Sequence, residues 1–193
     1  MKLLDTTINT ANKLTIFRLI LIPFFVYFLL NNVYTFALVI FVIAAFTDHL
    51  DGKIARKQGK VTDFGKFADP LADKALVMTA FICFVEIKEI SVVAVILTIV
   101  REFIVMSIRL MSAKKGDVIS ANIWGKAKTI SQFSTIFLVI LILATKNFYG
   151  TNHYPYEWLS IIVKEIFLWS SVALSCISGA IYVYKNRSYI SKN

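Results

Sequence analysis

The chain has 193 residues, of which 58% are hydrophobic and only 17% are charged, and its mean hydropathy is +0.70. A soluble domain carries about 25% charged residues, so the composition argues against a soluble protein and favours an integral membrane protein. The formal net charge is +9. However, the basic residues are scattered over short connections and no nucleic-acid-binding module is visible, so we expect no nucleic-acid partner.

Six apolar segments follow one another along the chain. They run from Leu14 to Leu30, Tyr34 to Phe46, Leu71 to Val85, Val92 to Leu110, Thr129 to Thr145 and Ile161 to Tyr184. In lipid, a helix satisfies every backbone hydrogen bond within its own segment. The sequence therefore predicts an all-α fold, a membrane bundle of six transmembrane helices in a single domain covering residues 1–193. The second segment becomes a full span only if its helix continues through Asp48 and Arg56.

Lysine and arginine residues are unevenly distributed among the connections. They are frequent at the N-terminus, after the second and fourth segments, and in the C-terminal tail, whereas the intervening connections offer Lys88, Lys146 and Lys164. Basic residues accumulate in cytoplasmic loops. We therefore predict a multi-pass protein of the cell membrane with both termini in the cytoplasm.

Two aspartates, Asp48 and Asp51, follow the second apolar segment. Ionisable side chains at membrane depth are costly and are functional candidates for that reason. If the helix continues, both aspartates fall within an arc of about 100° that also contains Gly52 and Ala55. Because Gly52 has no side chain and Ala55 a small one, a bulky ligand can approach this face closely. Arg56 borders the same face.

Asp69 and Asp73 form a second pair. Asp69 lies just before the third apolar segment, and Asp73 lies near the start of that segment. The two residues are one turn apart if both lie in a helix. Pro70 offers an alternative, because proline favours the first position of a helix and Asp69 would then be its N-cap. In either geometry, both carboxylates can point at the preceding helix.

The two pairs together offer four carboxylates, whose oxygen ligands suit hard cations such as Mg²⁺ or Mn²⁺. Two such ions about 3.5–4 Å apart clamp the oxygens of a phosphoryl displacement. The sequence therefore predicts two divalent cations with a bound diphosphate. The alternative is that the aspartates cap helices and form ion pairs with neighbouring basic residues, namely Lys53, Arg56, Lys66 and Lys74.

The whole pattern resembles, position for position, the signature of the CDP-alcohol phosphatidyltransferases. Its fixed positions are Asp48, Asp51, Gly52, Ala55, Arg56, Gly65, Asp69 and Asp73. The resemblance implies a six-helix membrane enzyme, usually a homodimer, with its site open to the cytoplasm. Such an enzyme transfers a phosphatidyl group from CDP-diacylglycerol to an alcohol.

The resemblance also implies a role for each position. Asp48, Asp51 and Asp69 would bind metal, and Asp73 would be the general base that deprotonates the acceptor hydroxyl as well as a further metal ligand. The positions predicted to bind the CDP-lipid are Asn12, Thr15, Gly52, Ala55, Arg56 and Gly65.

Further motifs resemble one bacterial branch of this family, whose acceptor is sn-glycerol 3-phosphate. The matching positions are Asn12, Thr15, Arg18, Pro23, Arg101, Glu102, Phe103, Arg109, Asn122, Gly125, Lys126, Lys128, Thr129 and Gln132. The resemblance covers most of the chain, and the last apolar segment adds nothing specific to it.

A dianionic acceptor needs cations, and four basic residues are predicted to bind its phosphate. Arg101 and Arg109 are about two turns apart in the fourth segment, and Lys126 and Lys128 begin the fifth. For the two lysines, extension of the side chain to the membrane interface is the alternative. Glu102 is not expected to pair with Arg101, because adjacent residues on a helix do not share a face.

Two other functions stay open at this point. The first is the same chemistry with another acceptor, such as inositol phosphate, serine or phosphatidylglycerol. The second is a divalent-cation transporter, although its carboxylates should be distributed through the bilayer, whereas these four gather at one edge.

Overall fold

A computed structural model describes four stretches of the chain, residues 10–58, 63–114, 123–150 and 155–187. It describes the side chains of these stretches except those of residues 10–13, 48–58, 63–71, 73, 113 and 114. The helices are α1 (Thr10–Leu30), α2 (Tyr34–Gln58), α3 (Asp63–Glu86), α4 (Val92–Lys114), α5 (Ile123–Tyr149) and α6 (Glu157–Lys185). Each predicted apolar segment lies within one helix, and the described stretches contain no strand. The predicted all-α fold is therefore confirmed for this part of the chain.

The helices on either side of residues 59–62 extend well into the charged part of the sequence. α2 continues past Phe46 to Gln58, as predicted, and α3 begins at Asp63, before the third apolar segment. Pro70 therefore lies inside α3 and does not begin it. The alternative in which Asp69 is an N-cap is wrong, and Asp69 and Asp73 both occupy interior helical positions.

The chain divides into two compact units, and the first comprises Met1–Cys83 and Ile140–Tyr154. Its interior contains Phe25 of α1 and Phe41 of α2, whose ring centroids are 6.1 Å apart. α1 ends in a tight turn, in which the Val33 N–H donates to the Phe28 carbonyl over 2.9 Å and Asn32 adopts a left-handed φ of 62°. Asparagine tolerates this conformation better than most residues. Helices α1 and α2 are thereby held as neighbours.

The second unit comprises Phe84–Val139 and Pro155–Asn193. Val105 and Ile108 of α4 form a buried cluster with Tyr182 of α6. Between α5 and α6, the Thr135 hydroxyl donates to the Phe167 carbonyl over 3.1 Å. An ion pair of 2.6 Å between Lys164 and Glu89 adds a further link to α6. α6 thus packs against α4 and also contacts α5.

The surface of the molecule is consistent with a membrane protein. Two helices, α5 and α6, are long and apolar enough to cross a bilayer, and shorter apolar stretches run over Leu14–Leu30 and Tyr34–Thr47. Large apolar side chains are exposed on several helices, and examples more than half exposed are Phe24, Tyr27, Phe36, Phe46 and Phe103. In water, exposed apolar surfaces promote association between molecules, whereas in a membrane they contact the lipid chains. The number of transmembrane helices and the location of the termini stay predictions.

Candidate functional site

The first aspartate pair continues the register of the buried stripe on α2. Ala37, Phe41 and Ala44 are buried along one face of this helix. Asp48 is one turn beyond Ala44 and Asp51 is two turns beyond it, because a helix repeats every 3.6 residues. Both positions are therefore in register with this buried stripe. Their side chains lie outside the described residues.

The remaining predicted positions on α2 follow the same register. Gly52 is one turn beyond Asp48, and Ala55 is one turn beyond Asp51. Arg56 is one turn beyond Gly52. All of these positions are helical, which was the condition on which the sequence prediction depended.

The second pair stands in the same relation to α3. Ala72, Leu76 and Ala80 are buried on this helix. Asp69 is two turns before Leu76, and Asp73 is three residues before it, so both positions are in register with these buried residues. Gly65 is one turn before Asp69 within the same helix.

The chain connection restricts the separation of the two helix ends. Gln58 ends α2 and Asp63 begins α3, with residues 59–62 between them. Five residue steps span at most about 18 Å. The connection therefore keeps the end of α2 near the start of α3, with Asp48 ten residues before that end and Asp73 ten residues after that start. The distances between the aspartate side chains lie outside the described residues.

The donor set fits a hard divalent cation. It consists of carboxylates spaced one turn or three residues apart on helical backbone, and Mg²⁺ and Mn²⁺ prefer such oxygen ligands. Among the side chains that the structure describes, no group of three or more His, Cys, Asp or Glu residues comes together. The metal and its binding to the four aspartates stay predictions.

α1 contributes buried polar residues to the first unit. Thr15 is fully buried and Arg18 is 2% exposed, in register with the buried Phe25 and Leu29. Asn12 lies in the first turn of α1, and its side chain is not described. A buried guanidinium requires compensating polar groups. The inward face of α1 is therefore polar towards its N-terminal end and apolar towards its C-terminal end.

In the second unit, Arg101 makes contacts that the sequence interpretation missed. Its Nε donates to the Ser175 carbonyl over 3.0 Å, and its Nη2 donates to the Ser178 hydroxyl over 2.8 Å. Its Nη1 donates to Glu102 Oε1 over 2.7 Å. Arg101 thus links α4 to α6, and these bonds use three of the five N–H donors of its guanidinium.

Glu102 is the negative centre of a buried charge cluster. The same Oε1 atom accepts from Arg101 and from the ammonium group of Lys128 on α5. Glu102 is 5% exposed and Lys128 is 8% exposed. The expectation that Glu102 would not pair with Arg101 was wrong, because the long arginine side chain reaches its neighbour's carboxylate. Extension of Lys128 to the membrane interface is likewise not observed.

The other two predicted acceptor-binding residues are exposed. Arg109 lies two turns beyond Arg101 on α4, and Lys126 lies near the start of α5. Neither side chain forms a hydrogen bond or ion pair with another described side chain. Their cationic groups therefore remain available to an anion, in contrast to those of Arg101 and Lys128.

The same unit contains buried polar atoms without a partner among the described residues. They are Gln132 Nε2, Ser175 Oγ and Tyr182 OH. Gln132 is one turn beyond Lys128, and it is 2% exposed. A buried polar atom left unsatisfied costs about 1–3 kcal/mol. A polar group bound beside Gln132 would remove this penalty.

α6 carries a pattern that the sequence interpretation overlooked. Ser171, Ser175, Ser178 and Gly179 are buried on one side of this helix. A Cβ atom on Gly179 would lie 2.7 Å from Arg101 Cγ. Small residues spaced four apart let membrane helices approach closely. This spacing is the signal in the sequence that could have predicted the α4–α6 contact.

Comparison with known proteins is consistent with this architecture. A family model described as CDP-alcohol phosphatidyltransferase matches residues 8–177. The CDP-diacylglycerol–glycerol-3-phosphate 3-phosphatidyltransferase of Bacillus subtilis (strain 168) is 35% identical over 193 residues, covering 92% of this chain and 95% of that protein. The protein of the same name from Wigglesworthia glossinidia brevipalpis is 32% identical, covering 92% and 94%.

A third relative comes from Mycobacterium tuberculosis (strain CDC 1551 / Oshkosh) and bears the name probable phosphatidylglycerophosphate synthase. It is 33% identical over 181 residues, covering 91% of this chain and 80% of that protein. The family match spans the aspartate segment, α4 and α5, and ends within α6. The chain belongs to the CDP-alcohol phosphatidyltransferase family.

Proposed function

We propose that the protein transfers the phosphatidyl group of CDP-diacylglycerol to sn-glycerol 3-phosphate, releasing phosphatidylglycerophosphate and CMP. The observation that carries the proposal is that the four aspartates occupy helical positions of α2 and α3 in register with buried residues of those helices. The printed names of the relatives from Bacillus subtilis and Wigglesworthia glossinidia brevipalpis support this donor and this acceptor.

Asp48, Asp51, Asp69 and Asp73 are the residues that would hold two divalent cations, Mg²⁺ or Mn²⁺. When bound, such ions withdraw charge from the diphosphate and make CMP a better leaving group. The choice of aspartate suits this task because carboxylates neutralise the cations and bring no redox chemistry. Without a cation, four carboxylates brought close together would repel one another.

Asp73 is proposed as the general base. Its carboxylate accepts the proton of the acceptor hydroxyl as that oxygen attacks the phosphorus that carries the diacylglycerol ester. A P–O bond forms to the acceptor, the P–O bond to CMP breaks, and CMP leaves with the bonding electron pair. A positioned base of this kind contributes about 10²- to 10⁴-fold in rate.

The CDP-lipid is proposed to lie along the inward face of α2. Gly52 and Ala55 leave room for the nucleotide next to the helix backbone, and the Arg56 guanidinium can bind its phosphate oxygens. Gly65 on α3 and the pair Asn12 and Thr15 on α1 complete the predicted set.

The acceptor phosphate is a dianion and is proposed to bind basic residues of the second unit. Arg109 and Lys126 are the strongest candidates, because both are exposed and neither is engaged by a described side chain. Lys128 and Arg101 are bonded to Glu102. We propose that Lys128 and Arg101 do not bind the acceptor phosphate directly. Their secondary role is to add positive electrostatic potential to the polar interior of the second unit.

We further propose that all six helices cross the cell membrane, that both termini and the active site face the cytoplasm, and that the enzyme is a homodimer. The alternation of basic connections supports the orientation, and family resemblance supports the dimer. A divalent-cation transporter is less well supported, because the four aspartates are confined to one segment of the chain, Asp48 to Asp73, on two consecutive helices.

The proposal is tested by measuring CMP release from CDP-diacylglycerol by the purified protein with a panel of acceptors. We expect turnover with sn-glycerol 3-phosphate, and none without Mg²⁺ or Mn²⁺. Turnover with inositol phosphate, serine or phosphatidylglycerol in its place would contradict the acceptor assignment. Metal flux into proteoliposomes without CMP release would contradict the enzymatic proposal.

A further inference from the structure

A groove with a volume of about 590 Å³ runs between α4 and α6 in the second unit. Its walls are mainly apolar, with Leu97, Val100 and Ile104 from α4 and Ala180 and Val183 from α6. Residues on its α4 side, such as Val100 at 50% exposed, would face lipid in a membrane. The groove is therefore shaped and lined for a hydrocarbon chain.

The length of the groove matches one leaflet of a bilayer. Along α6 it extends from Cys176 to Arg187, which is roughly 16 Å at 1.5 Å per residue. The hydrocarbon core of a bilayer is about 30 Å thick, so a single leaflet is about half of that. A chain lying in the groove would thus reach from the bilayer centre to the interface beyond the end of α6.

A cationic residue, Arg187, lies at the end of the groove that would be at the membrane interface. The Arg187 guanidinium carbon lies 4.8 Å from the centroid of the Tyr184 ring. This contact is a cation–π interaction, and the guanidinium has five N–H donors in all. Arg187 makes no hydrogen bond or ion pair with a described side chain, so it can bind an anion.

The second cation of the groove is already engaged. Arg101 contributes to the lining, but its three nitrogens donate to Ser175, Glu102 and Ser178. Arg187 is the cationic lining residue that forms no such bond with a described side chain, so it contributes one positive charge at the end of the apolar groove. This charge matches a single phosphodiester, whereas a diphosphate would carry about twice the negative charge.

We propose that the α4–α6 groove binds one acyl chain of a bilayer phospholipid with a net negative head group, and that Arg187 binds the phosphate of this lipid. The occupant is a lipid of the surrounding membrane and not the CDP-lipid substrate. The inference depends on the membrane location of the protein and is independent of its proposed reaction.

The test uses the full-length protein in phosphatidylcholine vesicles that contain a photoreactive lipid. One probe is phosphatidylglycerol with a diazirine on its acyl chain, and the matched probe is phosphatidylcholine with the same chain. After irradiation, labelled peptides are quantified by mass spectrometry. We expect the anionic probe to label Leu97–Ile104 and Cys176–Val183 about fivefold more than the neutral probe, the effect of one basic residue near a membrane surface.

Two pairs of variants separate the head-group contact from the groove. Arg187→Gln should reduce the fivefold preference to about one, whereas Lys185→Gln, an exposed neighbour that does not line the groove, should retain it. Ala180→Trp should fill the groove and reduce labelling by both probes several-fold. Ala173→Trp, two turns earlier on α6 and outside the groove, should not.

Three results would overturn the proposal. The first is equal labelling by the two probes in the wild-type protein, and the second is a preference that Arg187→Gln leaves unchanged. The third is loss of the label when CDP-diacylglycerol is added in excess, which would assign the groove to the substrate. If Ala180→Trp fails to fold, the comparison of Arg187→Gln with Lys185→Gln decides the question alone.

Discussion

Charged residues are arranged differently in the two units of the molecule. In the first unit, four aspartates occupy helical positions of α2 and α3, and their sequence positions span Asp48 to Asp73. In the second unit, Glu102 on α4 pairs with Arg101 beside it and with Lys128 on α5, and Arg101 also binds α6. The first unit thus groups four carboxylates within one segment of the chain, whereas in the second unit a single carboxylate lies between two cations.

This difference has a physical consequence for function. Like charges that come close together are unfavourable without a counter-ion, so the aspartate segment is suited to bind cations and a diphosphate. Removal of one partner of a buried ion pair is costly, because the other charge is left uncompensated. We therefore assign chemistry to the aspartates and a positioning role to the Glu102 cluster.

The largest effect is expected for Asp73→Asn. Loss of the general base should lower turnover about 10²- to 10⁴-fold, while CDP-lipid binding is largely retained because the helix and three other carboxylates remain. CMP release and CDP-diacylglycerol binding measure the two quantities. Asp63→Asn at the start of α3 is the matched control and should keep near-normal turnover. Equal activity of the two variants would refute the assignment of Asp73.

Glu102→Gln tests the charge cluster of the second unit. The change leaves two buried cations without their carboxylate and should lower the free energy of unfolding by about 3–5 kcal/mol. Thermal unfolding in detergent measures this loss. Glu165→Gln, whose carboxylate bonds only to an exposed tryptophan among the described residues, should cost far less. Similar melting temperatures for both variants would show that the charge cluster does not stabilise the second unit.

Arg109→Ala should weaken acceptor binding selectively. Removal of one charge-assisted hydrogen bond costs about 1.5–3 kcal/mol, so we expect the KM for sn-glycerol 3-phosphate to rise about 10- to 100-fold. The kcat should change little, because the base and the aspartates are intact. A fall in kcat at unchanged KM would contradict a binding role for Arg109.

Gly179→Ala tests the contact between α4 and α6. The added Cβ would approach Arg101 Cγ to 2.7 Å, so the arginine must shift and its bonds to α6 must lengthen. Overpacking of this kind costs about 1–3 kcal/mol. Gly125→Ala on α5 is the control, because nothing lies within 4 Å of the added atom. Unfolding curves should show a lower stability for Gly179→Ala than for Gly125→Ala. Identical curves would contradict the close contact between α4 and α6 at Gly179.

Local patterns explain which features could be predicted from the sequence. Apolar segments located all six helices, and the spacing of Asp48, Asp51, Asp69 and Asp73 placed them in helical register. These features depend on residues at most a few turns apart. Only the N-cap alternative for Asp69 failed, because α3 extends through Pro70 to Asp63.

The features that were missed depend on contacts distant in the chain. Arg101 bonds to residues 74 and 77 positions away, and Lys128 is 26 positions from Glu102. No local pattern specifies such partners, and the rule for adjacent helical residues suggested the opposite for Glu102. The small residues of α6 could have been noticed, but their spacing alone does not reveal which helix they contact.

The central claim is that the four aspartates hold two divalent cations, and counting bound Mn²⁺ tests it most directly. The measurement is the electron paramagnetic resonance of free Mn²⁺ during titration of the purified protein in the presence of CDP-diacylglycerol. We predict two tightly bound ions per chain in the wild-type protein, and fewer in Asp51→Asn. An unchanged free Mn²⁺ signal on addition of the wild-type protein would contradict the account.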